Sequence, residues 1–110
     1  MPEERLELIE EMRKKNPEDS FLAYAAALEY NKLGEKNEAI SIIEALLKRD
    51  PQYLSAYYQL GRIYEETDQH KKAVSVYKEG KEIARKRHDQ KAIGELSEAL
   101  MLLDEEEGNW

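Results

Sequence analysis

The chain repeats itself at a fixed interval, and that constrains its fold more than any other feature. Pro17 and Pro51 lie 34 positions apart (51 − 17), and at the same offset Tyr24 meets Tyr58, Ala27 meets Gly61, Tyr30 meets Tyr64 and Ala39 meets Ala73. Ile40-Ser41-Ile42 likewise meets Val74-Ser75-Val76, while Leu6, Leu8, Ile9 and Met12 meet Ile40, Ile42, Ile43 and Leu46. A period of this length means that one supersecondary unit recurs, burying one face within itself and another against its neighbour.

Inside each period the apolar residues recur at spacings of three and four, the signature of amphipathic helices. The prolines and turn residues divide the chain into six. A first helix over 3–15 stops before Asn16-Pro17, because a residue preceding proline is pushed out of the helical region. A second, over 20–33, has Asp19 or Ser20 as N-cap and ends at Gly34, which supplies left-handed backbone. A third covers 37–48 and stops at Asp50-Pro51; a fourth covers 53–66 and ends at Thr67-Asp68-Gln69. A long fifth helix covers 70–87, and a sixth, capped by Asp89, runs to about 106, with the join near His88. The first helix reads as the second half of a repeat.

These residues carry a resemblance to the tetratricopeptide repeat, a hairpin of two helices with an aromatic, then Leu-Gly, then Tyr, then Ala, an aromatic and Pro. Tyr57-x2-Leu60-Gly61-x2-Tyr64 with Ala73-x3-Tyr77 follows that pattern closely, except that Arg85 stands in place of the closing proline. Ala23-x2-Ala26-Ala27-x2-Tyr30 with Ala39-x3-Ile43 and Pro51 is a looser match, small where the family is bulky. The resemblance implies an all-α fold, a right-handed superhelical stack of antiparallel helical hairpins. It spans 1–110 as a single domain: a half repeat over 1–16, repeats over 20–53 and 54–87, a capping helix over 89–106 and a tail over 107–110.

In that family the first helix of each hairpin lines a concave groove that holds peptides. The residues that match groove positions are Tyr24, Leu28 and Asn31 from one helix and Tyr58, Gln59, Arg62 and Glu65 from the next. Tyrosines at one offset offer flat apolar area with hydroxyls to orient a ligand, favourable interface chemistry. Some family members grip a C-terminal carboxylate with Lys, Asn and Arg on this face. The matching spots here hold Tyr24, Leu28, Gln59, Asp89 and Ile93, with no cationic pair. The resemblance therefore implies a non-catalytic scaffold or adaptor holding a protein or peptide partner. The alternative is a self-associating subunit, a homo-oligomer stacked through its ends.

Composition narrows the remaining classes. With 17 basic against 24 acidic residues in 110, a net charge of −7, the overall field repels phosphate, which disfavours nucleic acid and anionic membrane. No cysteine is present, which excludes disulfides, thiolate metal sites and cysteine nucleophiles. His70 and His88 lack spaced metal-ligand partners, and the serines at 20, 41, 55, 75 and 97 lack a nucleophile turn. Neither a cofactor site nor an enzymatic constellation is expected. The acidic N-terminal residues and the lack of any apolar run of about 18 residues point to a cytoplasmic protein.

Three further features are weighed as structural. The stretch 78–91 carries Lys78, Lys81, Arg85, Lys86, Arg87 and Lys91, and the segment after it is acidic. Mutual neutralisation or solvation accounts for both charge sets better than a phosphate site does. Gly80 lies within a helix at a cost near 1 kcal/mol relative to alanine, which close helix packing explains. Trp110 reads as a frayed end.

Overall fold

The computed structural model describes residues 2–107, and Trp110 lies outside them. Among the described residues all regular structure is α-helical, in the order α1 (Pro2–Lys15), α2 (Ser20–Lys32), α3 (Lys36–Arg49), α4 (Leu54–Glu66), α5 (His70–Lys86) and α6 (Gln90–Glu107). The ends agree with the sequence reading to within a residue or so. Tyr53, expected to open the fourth helix, precedes it: its N–H donates to the Asp50 carbonyl at 3.2 Å and closes the turn around Pro51. The chain divides between Tyr53 and Leu54 into two compact units.

The turns are of two chemical kinds. After α2, α4 and α5 the chain passes through one left-handed residue, Gly34 (φ 85°), Asp68 (φ 59°) and His88 (φ 58°). Each time the N–H three residues past the helix reaches back to a carbonyl five positions earlier: Glu35 to Tyr30, Gln69 to Tyr64, Asp89 to Ala84. That pairing satisfies carbonyls the helix end would leave orphaned. After α1 and α3, by contrast, the turn contains proline, closed by the Asp19 N–H on the Asn16 carbonyl and by Tyr53 on Asp50. Arg85 stands where a third proline would break the helix. So α5 continues to Lys86, at 17 residues against 14 for α3, and ends in a left-handed turn.

In the first unit α2 and α3 form a hairpin and α1 packs on α2. Leu22, Ala23, Ala26 and Ala27 are buried on α2, Ala39, Ile40, Ile42, Ile43 and Leu46 on α3, and Ile9 on α1. Asp19 caps α2 by accepting from the Leu22 N–H at 3.0 Å, and the Ser20 hydroxyl donates to Asp50 at 2.6 Å. Polar bridges fasten α1 to α2. The Tyr30 hydroxyl donates to Glu10 at 2.9 Å, Glu10 also holds Arg13 at 2.8 Å, and the buried Glu29 carboxylate meets Arg5 at 2.8 Å.

In the second unit α4 and α5 form a hairpin, and α6 packs on α5 and touches α4. Glycine sets how closely these helices approach. A Cβ on Gly61 would lie 2.1 Å from the Tyr77 ring, and one on Gly80 would lie 2.6 Å from the Tyr57 Cβ and 3.3 Å from Leu96. Close packing thus accounts for Gly80 within α5. The Asp89 side chain accepts from the Ala92 N–H at 3.0 Å and caps α6. Leu96 and Leu103 are buried along it.

The register of α6 follows from the longer α5. Leu60-Gly61-x2-Tyr64 aligns with Leu96-Ser97-x2-Leu100 at an offset of 36 (96 − 60) rather than 34. Asp89 and Ile93, matched to groove positions from the 34-residue offset, therefore serve elsewhere: Asp89 is the cap and Ile93 is half-buried.

Candidate partner-binding surface

Four residues of α2 share one stripe at helical spacing: Phe21, Tyr24, Leu28 and Asn31. Tyr24 and Leu28 are half-buried, and the Tyr24 ring lies 5.3 Å from that of Tyr53 at 50°. Asn31 accepts from the Lys36 ammonium at 2.9 Å, which ties its amide to the start of α3. Phe21 is 65% exposed, unusual for so large an apolar side chain. Sequence reasoning passed over it, although it stands three positions before Tyr24 and seven before Leu28, the spacing that would have placed it on the same stripe.

On α4 the corresponding stripe is polar. Tyr58, Arg62 and Glu65 line a cleft of about 320 Å³ together with Glu98, Ala99 and Leu102 of α6. Gln59 is half-buried beside them but is not among the residues that line the cleft. The α6 residues were not foreseen, because the 34-residue period places different positions of α6 opposite α4.

The cleft is held from beneath by the core. With no side chain at Gly61, the Tyr77 ring fits against α4 and lies 6.3 Å from the Tyr58 ring. Its hydroxyl donates to Glu65. Burial pushes the Tyr77 hydroxyl well above its ordinary pKa, and the bond to the Glu65 carboxylate raises it further. On the rim, the Arg62 guanidinium sits 5.8 Å over the Tyr58 ring and donates to its hydroxyl at 3.3 Å. That hydrogen bond is the chief reason the Arg62 pKa is raised. The result is a prearranged wall of one aromatic, one cation and one carboxylate, each already in contact with a neighbour.

A family model described as Tetratricopeptide repeat matches residues 32–93. The chain belongs to the tetratricopeptide repeat family. The crystal structure of a tetratricopeptide repeat domain protein from Salinibacter ruber is 36% identical, covering 78% of this chain and 96% of that one, with a TM-score of 0.73. A solution structure of such a domain protein from the same organism is 38% identical, covering 80% and 89%, with a TM-score of 0.77. The TPR2B domain of yeast Sti1, solved as a complex with pHsp70, is 18% identical over 92% of this chain and 81% of that one. Its TM-score of 0.84 bears on the fold alone. No match is found among curated proteins. Among the described residues no cluster of metal-binding side chains occurs, and no helix is long and apolar enough to cross a membrane.

Proposed function

We propose that this tetratricopeptide repeat chain is a non-catalytic interaction module that holds an extended segment or helix of a partner protein. The partner would lie against the stripe of α4, in its cleft with α6. The observation that carries this reading is the cleft itself, in which Tyr58, Arg62 and Glu65 converge with residues of α6. A second helix completes the wall, and Tyr77 fixes it from below. Within the first unit, Tyr24, Leu28 and the exposed Phe21 offer a separate apolar stripe on α2, with Asn31 at its polar end. The yeast relative's complex with pHsp70 is in keeping with such use of the fold. With two complete hairpins the contact area is small, and affinity is expected near micromolar, about −8 kcal/mol.

A pull-down from lysate, wild type against Tyr58→Ala/Arg62→Glu, tests it, with circular dichroism confirming that the variant folds. The reading requires a partner retained by wild type and lost by the variant. Equal recovery of that partner by both would overturn the assignment of the site.

One observation favours a second reading, self-association as a structural or adaptor subunit. Leu8 and Met12 are 63% and 52% exposed on α1, whereas their repeat equivalents Ile42 and Leu46 are buried. Sedimentation velocity across a concentration series tests it: a mass that rises with concentration in wild type and not in Leu8→Glu/Met12→Glu supports it. A monomer at every concentration would exclude it.

A further inference from the structure

The occupant of the cleft between α4 and α6 can be specified by charge and shape. We infer that the cleft takes a partner segment in which a lysine or arginine stands beside an apolar side chain; this rests on the groove reading above. Two carboxylates, Glu65 and Glu98, line the cleft against one cation, Arg62. Arg62 is already turned onto Tyr58, through both its ring and its hydroxyl. Glu65 is held by the Tyr77 hydroxyl. Among the described residues no basic side chain pairs with Glu98, which is exposed at the opposite wall. The charge left open at the mouth is therefore negative.

Beside it lies apolar surface. Leu102 stands four positions after Glu98, on the same face of α6, and is 49% exposed; Ala99 also lines the cleft. A cationic head group would satisfy Glu98 and an apolar neighbour would cover Leu102, with the Tyr58 ring as a flat wall. An acidic ligand would bring its carboxylate against Glu98 and Glu65, and like charges across a contact are strongly disfavoured. The preference is thus the reverse of carboxylate capture.

The probes are two capped, fluorescein-labelled amphipathic peptides of about 15 residues, identical except that one carries leucine with lysine and the other leucine with glutamate. Wild type should bind the lysine peptide at least about tenfold more tightly. Glu98→Lys should lose about tenfold for that peptide, with backbone amide shifts in wild type centred on Glu98, Ala99 and Leu102. Glu44→Lys, an exposed change on α3 with the same effect on net charge, controls for long-range attraction and should lose less than about twofold. Equal losses in the two variants, or preference for the glutamate peptide, would overturn the inference and leave the groove reading standing. Binding of neither peptide would overturn both.

Discussion

The two hairpins occupy one register and solve the same packing problem with opposite distributions of volume. In α4–α5 the contact is extreme: glycine at 61 admits the full ring of Tyr77, which is completely buried. In α2–α3 the corresponding positions hold Ala27 and Ile43, also completely buried. The aromatic that opens the pattern, Tyr57, is replaced by Ala23. Interior volume is therefore conserved by pairs rather than by position, as close packing requires. The difference has a functional side. Tyr77 has a hydroxyl that reaches Glu65 in the wall of the cleft, whereas Ile43 has no polar group to offer the stripe of Tyr24 and Leu28. The second hairpin thus couples its core to its surface, and the first presents a plainer apolar one.

The comparison breaks most visibly at Gly61. Gly61→Leu must displace a buried ring, and a loss of about 3 kcal/mol is expected in urea unfolding, the upper end for overpacking. Gly61→Ala alone should already destabilise, because its Cβ would fall within the Tyr77 ring. Combining it with Tyr77→Ile transplants the first hairpin's pair and should recover part of the cost. A double mutant no better than the sum of the singles would refute the exchange of volume.

Next in size is Tyr77→Phe, which keeps the ring and removes the bond to Glu65, at about 1–2 kcal/mol. The same variant sharpens the comparison through pH. Burial first, and then Glu65, raise the Tyr77 pKa in the fold, so the protonated hydroxyl is favoured there. The stabilisation is fully present below the ordinary tyrosine value near 10 and is lost as pH rises above it. Wild-type urea midpoints should fall above pH 10 more steeply than those of Tyr77→Phe. Identical slopes would place the alkaline loss at other tyrosines, such as Tyr30, whose pKa burial and Glu10 also raise.

The smallest effect concerns the turns. Gly34 adopts left-handed backbone freely, while Asp68 and His88 do so at a cost. His88→Gly should raise stability by about 0.5–1 kcal/mol, and Gly34→Ala should lower it by a similar amount. A destabilised His88→Gly would mean that the His88 side chain contributes more than its backbone strain removes.

Much of this fold was legible because period and breakers agree. Gly34, Pro17 and Pro51 mark their turns without ambiguity, and Asp19 and Asp89 carry cap chemistry in their side chains. Arg85 in place of proline announced the longer α5. Its consequence, a two-residue slip of α6 against the period, lies in the Asp89 cap, 70 positions after Asp19 (89 − 19) rather than 68, but matching at a strict 34-residue offset passes over it. That slip hid Glu98, Ala99 and Leu102. Burial of Glu29 was hidden for a related reason: a glutamate at helical spacing reads as solvent-facing until a packed α1 brings Arg5 to it. Tyr58, Arg62 and Glu65 were nameable because the family resemblance assigns them to groove positions, and their spacings of four and three keep them on one helix face.

The central claim is that a partner lies against the α4–α6 cleft rather than the outer face of α5. The most direct measurement places a photo-crosslinking amino acid at Arg62 in one variant and at the exposed Ser75 of α5 in another, followed by irradiation in lysate. The account predicts a defined adduct from position 62 and none from position 75. An adduct from position 75 alone would contradict it.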